Sequence, residues 1–280
     1  MSAPDSMEAV EEVLAGRRRW ALLCADNRDA LPVLPDGSVD HVITDPPYEA
    51  EAHTAHRRVL KGTRPGRARR WQPGDARELN PITFEPIDPD GRDAAGAEIG
   101  RIAGRWALIF CQVEAAQSWA RAVRIAGMRY RRTCVWVKPD AQPQISGDRP
   151  GQGYEAIMVA HAPGRMRWNG GGRCGVFEHV KNVSGSQEAN PHPTTKPLPL
   201  MIELAELFTD PGEIILDPFA GSATTGVACL RLGRRFIGIE KDPVFHATGT
   251  ERLEAESVGL SLSAARAGQM PLFRWAEGAP

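Results

Sequence analysis

The stretch Val39-Asp40-His41-Val42-Ile43-Thr44-Asp45-Pro46-Pro47-Tyr48 decides how the rest of the chain is read. Its first six residues are mostly apolar and β-branched, which predicts a short strand. Asp-Pro-Pro must end that strand. Neither proline has an N–H to give to a sheet ladder, and Pro46 forces extended geometry on Asp45. An acid, a rigid turn and an aromatic ring are thereby set at the carboxyl end of a buried strand. In open α/β sheets that edge is where ligands bind. Taken alone, the tetrapeptide reads equally well as a turn capped by Asp45, with Tyr48 packed on the surface.

A second stretch changes the balance. Asp217-Pro218-Phe219-Ala220-Gly221-Ser222-Ala223-Thr224-Thr225-Gly226 follows the apolar run Glu213-Ile214-Ile215-Leu216 and opens a helix over Thr224 to Leu232. A strand, Arg235 to Glu240, comes next and ends in an acid. An acid about twenty residues after a glycine-rich turn is the arrangement that binds ribose hydroxyls, which points to Glu240. Asp242 and Pro243 start a further helix to about Ser257. Upstream, His192-Pro193-Thr194-Thr195-Lys196-Pro197 leads into an amphipathic helix over Lys196 to Phe208. Hydroxyls and a lysine at a helix amino terminus make a natural carboxylate site. Ordinary capping explains the threonines but not the whole string.

Together these strings resemble the amino-group DNA methyltransferases that use S-adenosyl-L-methionine. The catalytic motif comes before the cofactor motif, which resembles the β-class, circularly permuted order of that family. The resemblance implies a three-layer, Rossmann-like α/β methyltransferase fold. Its sheet has seven strands, mostly parallel, with one antiparallel strand, and the Asp45 strand lies beside the Asp217 strand. It implies catalysis by Asp45, Pro46, Pro47 and Tyr48 on the exocyclic amino group of a flipped base. For the cofactor it implies Asp26 near the adenine and Thr194, Thr195 and Lys196 near the methionine carboxylate. Asp217, Pro218, Phe219, Gly221, Ser222, Thr224 and Thr225 would surround the rest, with Glu240 and Asp242. Ala223 and Ala25 stand where the family usually has glycine. Asp26 also reads as a plain helix N-cap.

The remaining chain is assigned around that frame. Residues 17–257 are expected to form one methyltransferase domain, with terminal extensions 1–16 and 258–280. Segments 49–104 and 162–190 do not read as core and are expected to be substrate-side, target-recognition loops. The first carries Arg57, Arg58, Lys61, Arg64, Arg67, Arg69 and Arg70 with no acid between them. The second carries Arg165, Arg167 and Arg173. Most charge runs are solvated faces, but one that follows the catalytic strand can neutralise DNA phosphates. The stretch Asp75 to Glu98 is acidic and rich in Pro and Gly, and reads as a loop. Between them, Trp20 to Cys24, Arg105 to Cys111, Tyr130 to Lys138 and Tyr154 to His161 read as strands. A helix is expected over Glu114 to Ala126, and a short one over Met7 to Gly16.

Bulk properties set outer limits. At 280 residues the chain buries a sizeable core without staples. A net charge of −1 gives no global nucleic-acid field, so any DNA attraction must be local. Five cysteines without a Cys-x-x-Cys pair favour a reducing, cytoplasmic setting. The acidic start is not expected to be a secretory signal, and no apolar run suits a membrane span. His53 and His56 have no further ligand beside them, so no metal is expected. No cysteine follows a proline, as carbon-5 methylation of cytosine would require. Asp-Pro-Pro-Tyr leans to adenine N6, with cytosine N4 as the alternative. A catalytically silent DNA-binding or cofactor-sensing protein on the same fold is the rival of another class. Members of the family often form homodimers; the sequence itself does not specify one, nor a paired restriction endonuclease.

Overall fold

The computed structural model describes residues 5–48, 58–60, 76–78, 85–141, 143, 150–181 and 195–269. The Asp45 strand is β2 (His41–Thr44), and the Asp217 strand is β9 (Ile214–Asp217). Between β1 (Trp20–Cys24) and β10 (Arg235–Glu240) on one side and β5 (Trp106–Cys111), β6 (Arg129–Val137), β7 (Tyr154–His161) and β8 (Val176–Glu178) on the other, they complete one sheet. Its order is β1-β10-β9-β2-β5-β7-β6-β8. β7 runs antiparallel to both its neighbours, and all other pairings are parallel. The Asp45 and Asp217 strands are neighbours, as the resemblance implies, and β1 lies at one edge. The short β8 adds an eighth strand at the other edge. A separate antiparallel pair joins β3 (Arg58–Leu60) to β4 (Ala76–Glu78).

Strand alternation sorts the core into two layers. Ala21, Leu23, Val42, Ala107 and Ile109 face one layer. It also contains α1 (Met7–Leu14), α3 (Pro89–Ile102) and α4 (Ala116–Ile125). Leu22, Ile43, Leu108, Phe110 and Ile215 face the other. That layer holds α5 (Leu198–Phe208), α6 (Thr224–Arg231) and α7 (Pro243–Ser257). The short α2 (Asn27–Ala30) follows β1, and α8 (Leu262–Arg266) follows α7.

Two stretches differ from their sequence reading. Residues 89–102 are a helix, not a loop. Asp88 caps it by accepting from Gly91 N at 2.6 Å, Pro89 opens it, and Ala95, Ile99 and Ile102 are buried. The acidic, Pro- and Gly-rich composition that suggests a loop is here a cap, a first-turn proline and two contact glycines. The stretch set apart as the amino-terminal extension also joins the core. Ala9, Val10 and Val13 of α1 are fully buried, and Arg235 donates to Val13 O at 2.7 Å.

A polar cluster ties the amino ends of the three central strands. Glu213 accepts from buried His41 at 2.8 Å, from Asp210 N at 2.6 Å and from Arg105. Burial would raise the Glu213 carboxyl, but these partners outweigh it and hold it at about 2, below the ordinary 4.5. A depressed carboxyl stabilises the fold above its unfolded value and loses that contribution as pH falls. Glu213→Gln is therefore expected to cost most stability above pH ~5, with the deficit shrinking toward pH ~2. Urea melts of both proteins across that range measure it. A deficit that grows on acidification would refute the assignment.

Candidate active site

The carboxyl ends of β2 and β9 are adjacent. His41 pairs with Ile215 and Val42 with Leu216, and Thr44 Oγ1 donates to Asp217 Oδ1 at 2.7 Å. Thr225 Oγ1 donates to the other oxygen at 2.6 Å, and Phe219 N to the first at 3.1 Å. Burial pushes the Asp217 carboxyl up to about 6, against the hydrogen bonds from Thr225 and Thr44. Asp217 is thus the node that joins two strands and the first turn of α6.

The turn after Asp217 brings the cofactor-half residues together. Gly221 has φ 52, in the left-handed region glycine favours, and its N–H donates to Glu240 Oε2 at 2.7 Å. Glu240 Oε1 accepts from Asp242 N at 2.8 Å. Burial raises the Glu240 carboxyl, opposed by those two N–H bonds. Asp242 caps α7, accepting from Val244 N at 2.8 Å. Asp26 stands at the neighbouring strand end, since Cys24 is paired with Glu240. Asp26 caps α2 and is clasped by Arg28 at 3.0 and 2.8 Å, which holds its carboxyl at about 2. Asn27, which the sequence did not mark, reaches from there to Pro218 O at 3.4 Å.

The hydroxyls of Ser222 and Thr224 are engaged from behind. Buried Arg252 of α7 donates to Ser222 O at 2.5 Å, to its hydroxyl at 3.2 Å and to Thr224 Oγ1 at 2.9 Å. Ala223 caps α6 with φ 58 and ψ 38, alone among the described non-glycine residues in having a positive φ. An alanine there costs about 1 kcal/mol or more in backbone strain. Its buried methyl returns roughly 0.8 kcal/mol. Ala223→Gly is therefore expected to change unfolding free energy by less than about 1 kcal/mol. Ala223→Val should lose about 3 kcal/mol, because a β-branched residue resists this conformation and Gly249 packs against it. Denaturant unfolding of the two variants separates strain from packing.

On the β2 side, Asp45 does not stand alone. Lys196 Nζ lies 2.5 Å from Asp45 Oδ2 and 3.1 Å from Glu155 Oε2. Glu155, at the start of β7, also accepts from Tyr48 Oη at 2.6 Å and pairs with Lys138, directly after β6. Aromatic faces enclose the Lys196 ammonium: Phe110 at 5.1 Å, Tyr48 at 5.4 Å and Trp136 at 6.0 Å. Asp45 Oδ1 is buried and has no hydrogen-bond partner among the described residues. Burial raises the Asp45 carboxyl while Lys196 pulls it down. Burial would also raise Glu155, but Lys196 and Lys138 outweigh it and hold it at about 2. Burial would lower Lys196, yet Asp45 and Glu155 keep it above the ordinary range. Burial, then Glu155 and Asp45, drive the Tyr48 phenol well up. Two acids and two ammonium groups thus balance in one buried cluster. Glu155, Lys138, Phe110 and Trp136 were not marked from sequence.

Other marked residues lie elsewhere. Arg165 and Arg167 follow the lower end of β7, at the amino edge of the parallel strands. There Trp106 Nε1 donates to Arg167 O at 2.7 Å and Arg167 pairs with Asp210 at 3.2 Å. Arg173 pairs with Glu203 on the flank of α5. The structure therefore sets Arg165 and Arg167 at the edge opposite Asp45, and Arg173 beside α5. Antiparallel β7 delivers the chain to the opposite edge from its start. Thr195 is half-buried just before α5. Thr194, Arg57, Lys61, Arg64, Arg67, Arg69 and Arg70 lie outside the described residues, as does the Arg58 side chain. Among the described residues no group of acids, histidines and cysteines could hold a metal, and no helix could cross a membrane.

Comparison with known proteins finds proteins similar to this chain. A family model described as DNA methylase, covering the N6 and N4 enzymes, matches residues 167–251. The type II methyltransferase M.XycI of Xanthomonas campestris pv. cyanopsidis is 30% identical over 146 residues, 49% of each chain. Over residues 167–251 the chain matches the N6/N4 DNA methylase family. YubD of Escherichia coli strain K12, named as a methylase, is 27% identical across 84% of this chain and 90% of its own. The solved M1.HpyAVI–SAM complex shares the methylase fold at TM-score 0.58 and 24% identity, over 83% of this chain and 98% of that one. The chain spans about half the length of M.XycI. Asp45 to Tyr48 lie outside the span matched by the methylase family model, which carries the cofactor half.

Proposed function

We propose that the chain transfers a methyl group from S-adenosyl-L-methionine to the exocyclic amino group of a DNA base, adenine N6 ahead of cytosine N4. The observation that carries this is the buried Asp45 Oδ1, unpartnered among the described residues, beside the Asp217 node. The residues present fit the cofactor. Glu240 and Asp26, at neighbouring strand ends, are acceptors for ribose hydroxyls and an adenine amino group. Gly221 leaves room at the turn, and the acidic Asp217 end suits a methionine amino group. When bound, the cofactor supplies an electrophilic methyl on sulfur.

The protein's own part is to prepare the nucleophile. An amino group conjugated to a ring is weakly nucleophilic because its lone pair is delocalised. Asp45 Oδ1 and the Pro46 carbonyl can accept its two hydrogens and leave the nitrogen more tetrahedral. The lone pair then points along the line of transfer. Asp45 is also the base placed to take the proton released after transfer. Tyr48, anchored to Glu155, presents its ring to a base rotated out of the duplex. Phe110 and Trp136 wall the site against water. The basic segment Arg57 to Arg70 follows Tyr48 closely in sequence and supplies the phosphate contacts in this reading. The aspartate in Asp-Pro-Pro-Tyr favours adenine. Nucleoside mass spectrometry of DNA incubated with enzyme and cofactor tests it. N6-methyladenine is the expected product. N4-methylcytosine alone would overturn the base assignment, and unmodified DNA the activity.

A further inference from the structure

Sequence pattern alone puts Lys196 with the cofactor, yet its ammonium sits on the other half of the site. It lies 2.5 Å from Asp45 Oδ2 and 3.1 Å from Glu155, under Phe110, Tyr48 and Trp136. Its side chain is 9% exposed. To reach a cofactor carboxylate it would have to leave two carboxylates in a poorly solvated pocket.

We infer that Lys196, held by Glu155, is a positioning residue for Asp45: it binds one carboxylate oxygen and leaves the other, Oδ1, as the acceptor for the base amino group. The inference rests on the methyl-transfer reading for its catalytic meaning, but the ion-pair geometry stands without it. Oδ2 is fixed by the ammonium, and Oδ1 has no partner among the described residues. Lys196 also opposes the rise that burial imposes on the Asp45 carboxyl. Among the described residues, the charged and titratable groups facing Asp45 are Lys196 ahead of α5, Glu155 on β7, Lys138 after β6, Asp217 on β9 and Tyr48. Lys196 and Lys138 favour the carboxylate form of Asp45. Glu155 and Asp217 disfavour it. Lys138 balances Glu155, so Glu155 can hold Lys196 without a net buried charge.

This division of roles gives opposite signs that a purely structural part would not. In Lys196→Met, Asp45 keeps its acidic neighbours and loses its closest cation, so its pKa rises. The acid limb of the kcat–pH profile should move up by about one unit or more. At neutral pH kcat should fall about 10- to 100-fold, with the Kd for S-adenosyl-L-methionine within about threefold. Lys196→Arg keeps the charge and should return the limb toward wild type. Glu155→Gln removes the like charge, so the limb should move down instead.

The tests are pH–rate profiles, isothermal titration of the cofactor, and carbon-13 NMR titration of the Asp45 carboxyl in unliganded protein. If Lys196→Met weakens cofactor binding tenfold or more at unchanged kcat and unchanged Asp45 titration, Lys196 is a cofactor ligand and the inference is wrong. If Lys196→Met does not fold, Glu155→Gln and Lys196→Arg decide by the direction of the Asp45 titration. A wild-type protein that methylates no DNA sinks the parent reading alone, because the NMR titration still reads the ion pair.

Discussion

Asp45→Ala is expected to reduce methyl transfer to DNA at least about 10³-fold, or roughly 4 kcal/mol of transition-state stabilisation. The size follows from what the side chain does. It is the acceptor placed to rehybridise the amino nitrogen and the base placed to take its proton. No neighbouring group among the described residues replaces it, since Glu155 is already engaged by Lys196, Lys138 and Tyr48. The variant should still bind S-adenosyl-L-methionine within a few fold, because Glu240, Asp217 and the Gly221 turn are untouched. Its stability should fall by about 1–3 kcal/mol, for a buried ammonium loses one of its two carboxylates and the cluster gains net charge. Tritiated-methyl transfer, cofactor titration and a denaturant melt on one preparation separate the three effects. Retention of a tenth of the activity would remove Asp45 from the chemistry.

That prediction draws on what could be read before any fold was known. β1, β7, β10 and α7 have the bounds their apolar runs and caps announce. Runs of Leu, Ile and Val between turn residues leave the chain little alternative. The adjacency of the Asp45 and Asp217 strands was also legible, through the family resemblance that the two motifs carry. The network around Asp45 was not. Lys138 and Glu155 meet because Val137 pairs with Tyr154 across an antiparallel register, which no local pattern encodes. Lys196 looked like a helix-terminus cation and proved to be a partner for a carboxylate from another strand. Arg165 and Arg167 stand at the amino edge for a topological reason: strand direction, not chain order, decides which edge a loop occupies. β8 is three residues long, too short for an alternation signal.

A loss of stability as large as any predicted above is expected from filling the α3–α4 contact. Gly96 and Gly100 lie one turn apart on α3, in the stretch whose composition suggested a loop. A Cβ on Gly96 would come 2.4 Å from Ala122 Cβ, and one on Gly100 would come 2.6 Å from Val123 O. The second obstacle is backbone, which cannot rotate away. The helices touch where neither glycine has a side chain, so any substituent must push them apart. Helix propensity alone would credit Gly→Ala with a gain of about 1 kcal/mol. Overpacking opposes this by about 1–3 kcal/mol per site, and the expected net sign is reversed. The double change Gly96→Ala, Gly100→Ala should cost about 3 kcal/mol, and Gly96→Leu alone as much or more. For a chain of this length that is roughly 6–12 °C in melting temperature. Ala94, exposed on the same helix, should show the ordinary order, with Ala94→Gly losing about 1 kcal/mol. Below the melting transition the glycine variants should keep wild-type methyl transfer. α3 and α4 cover the sheet face opposite α5 and α6, and none of their side chains enters the Asp45 cluster. A stabilised double variant would mean that the two helices are not in backbone contact.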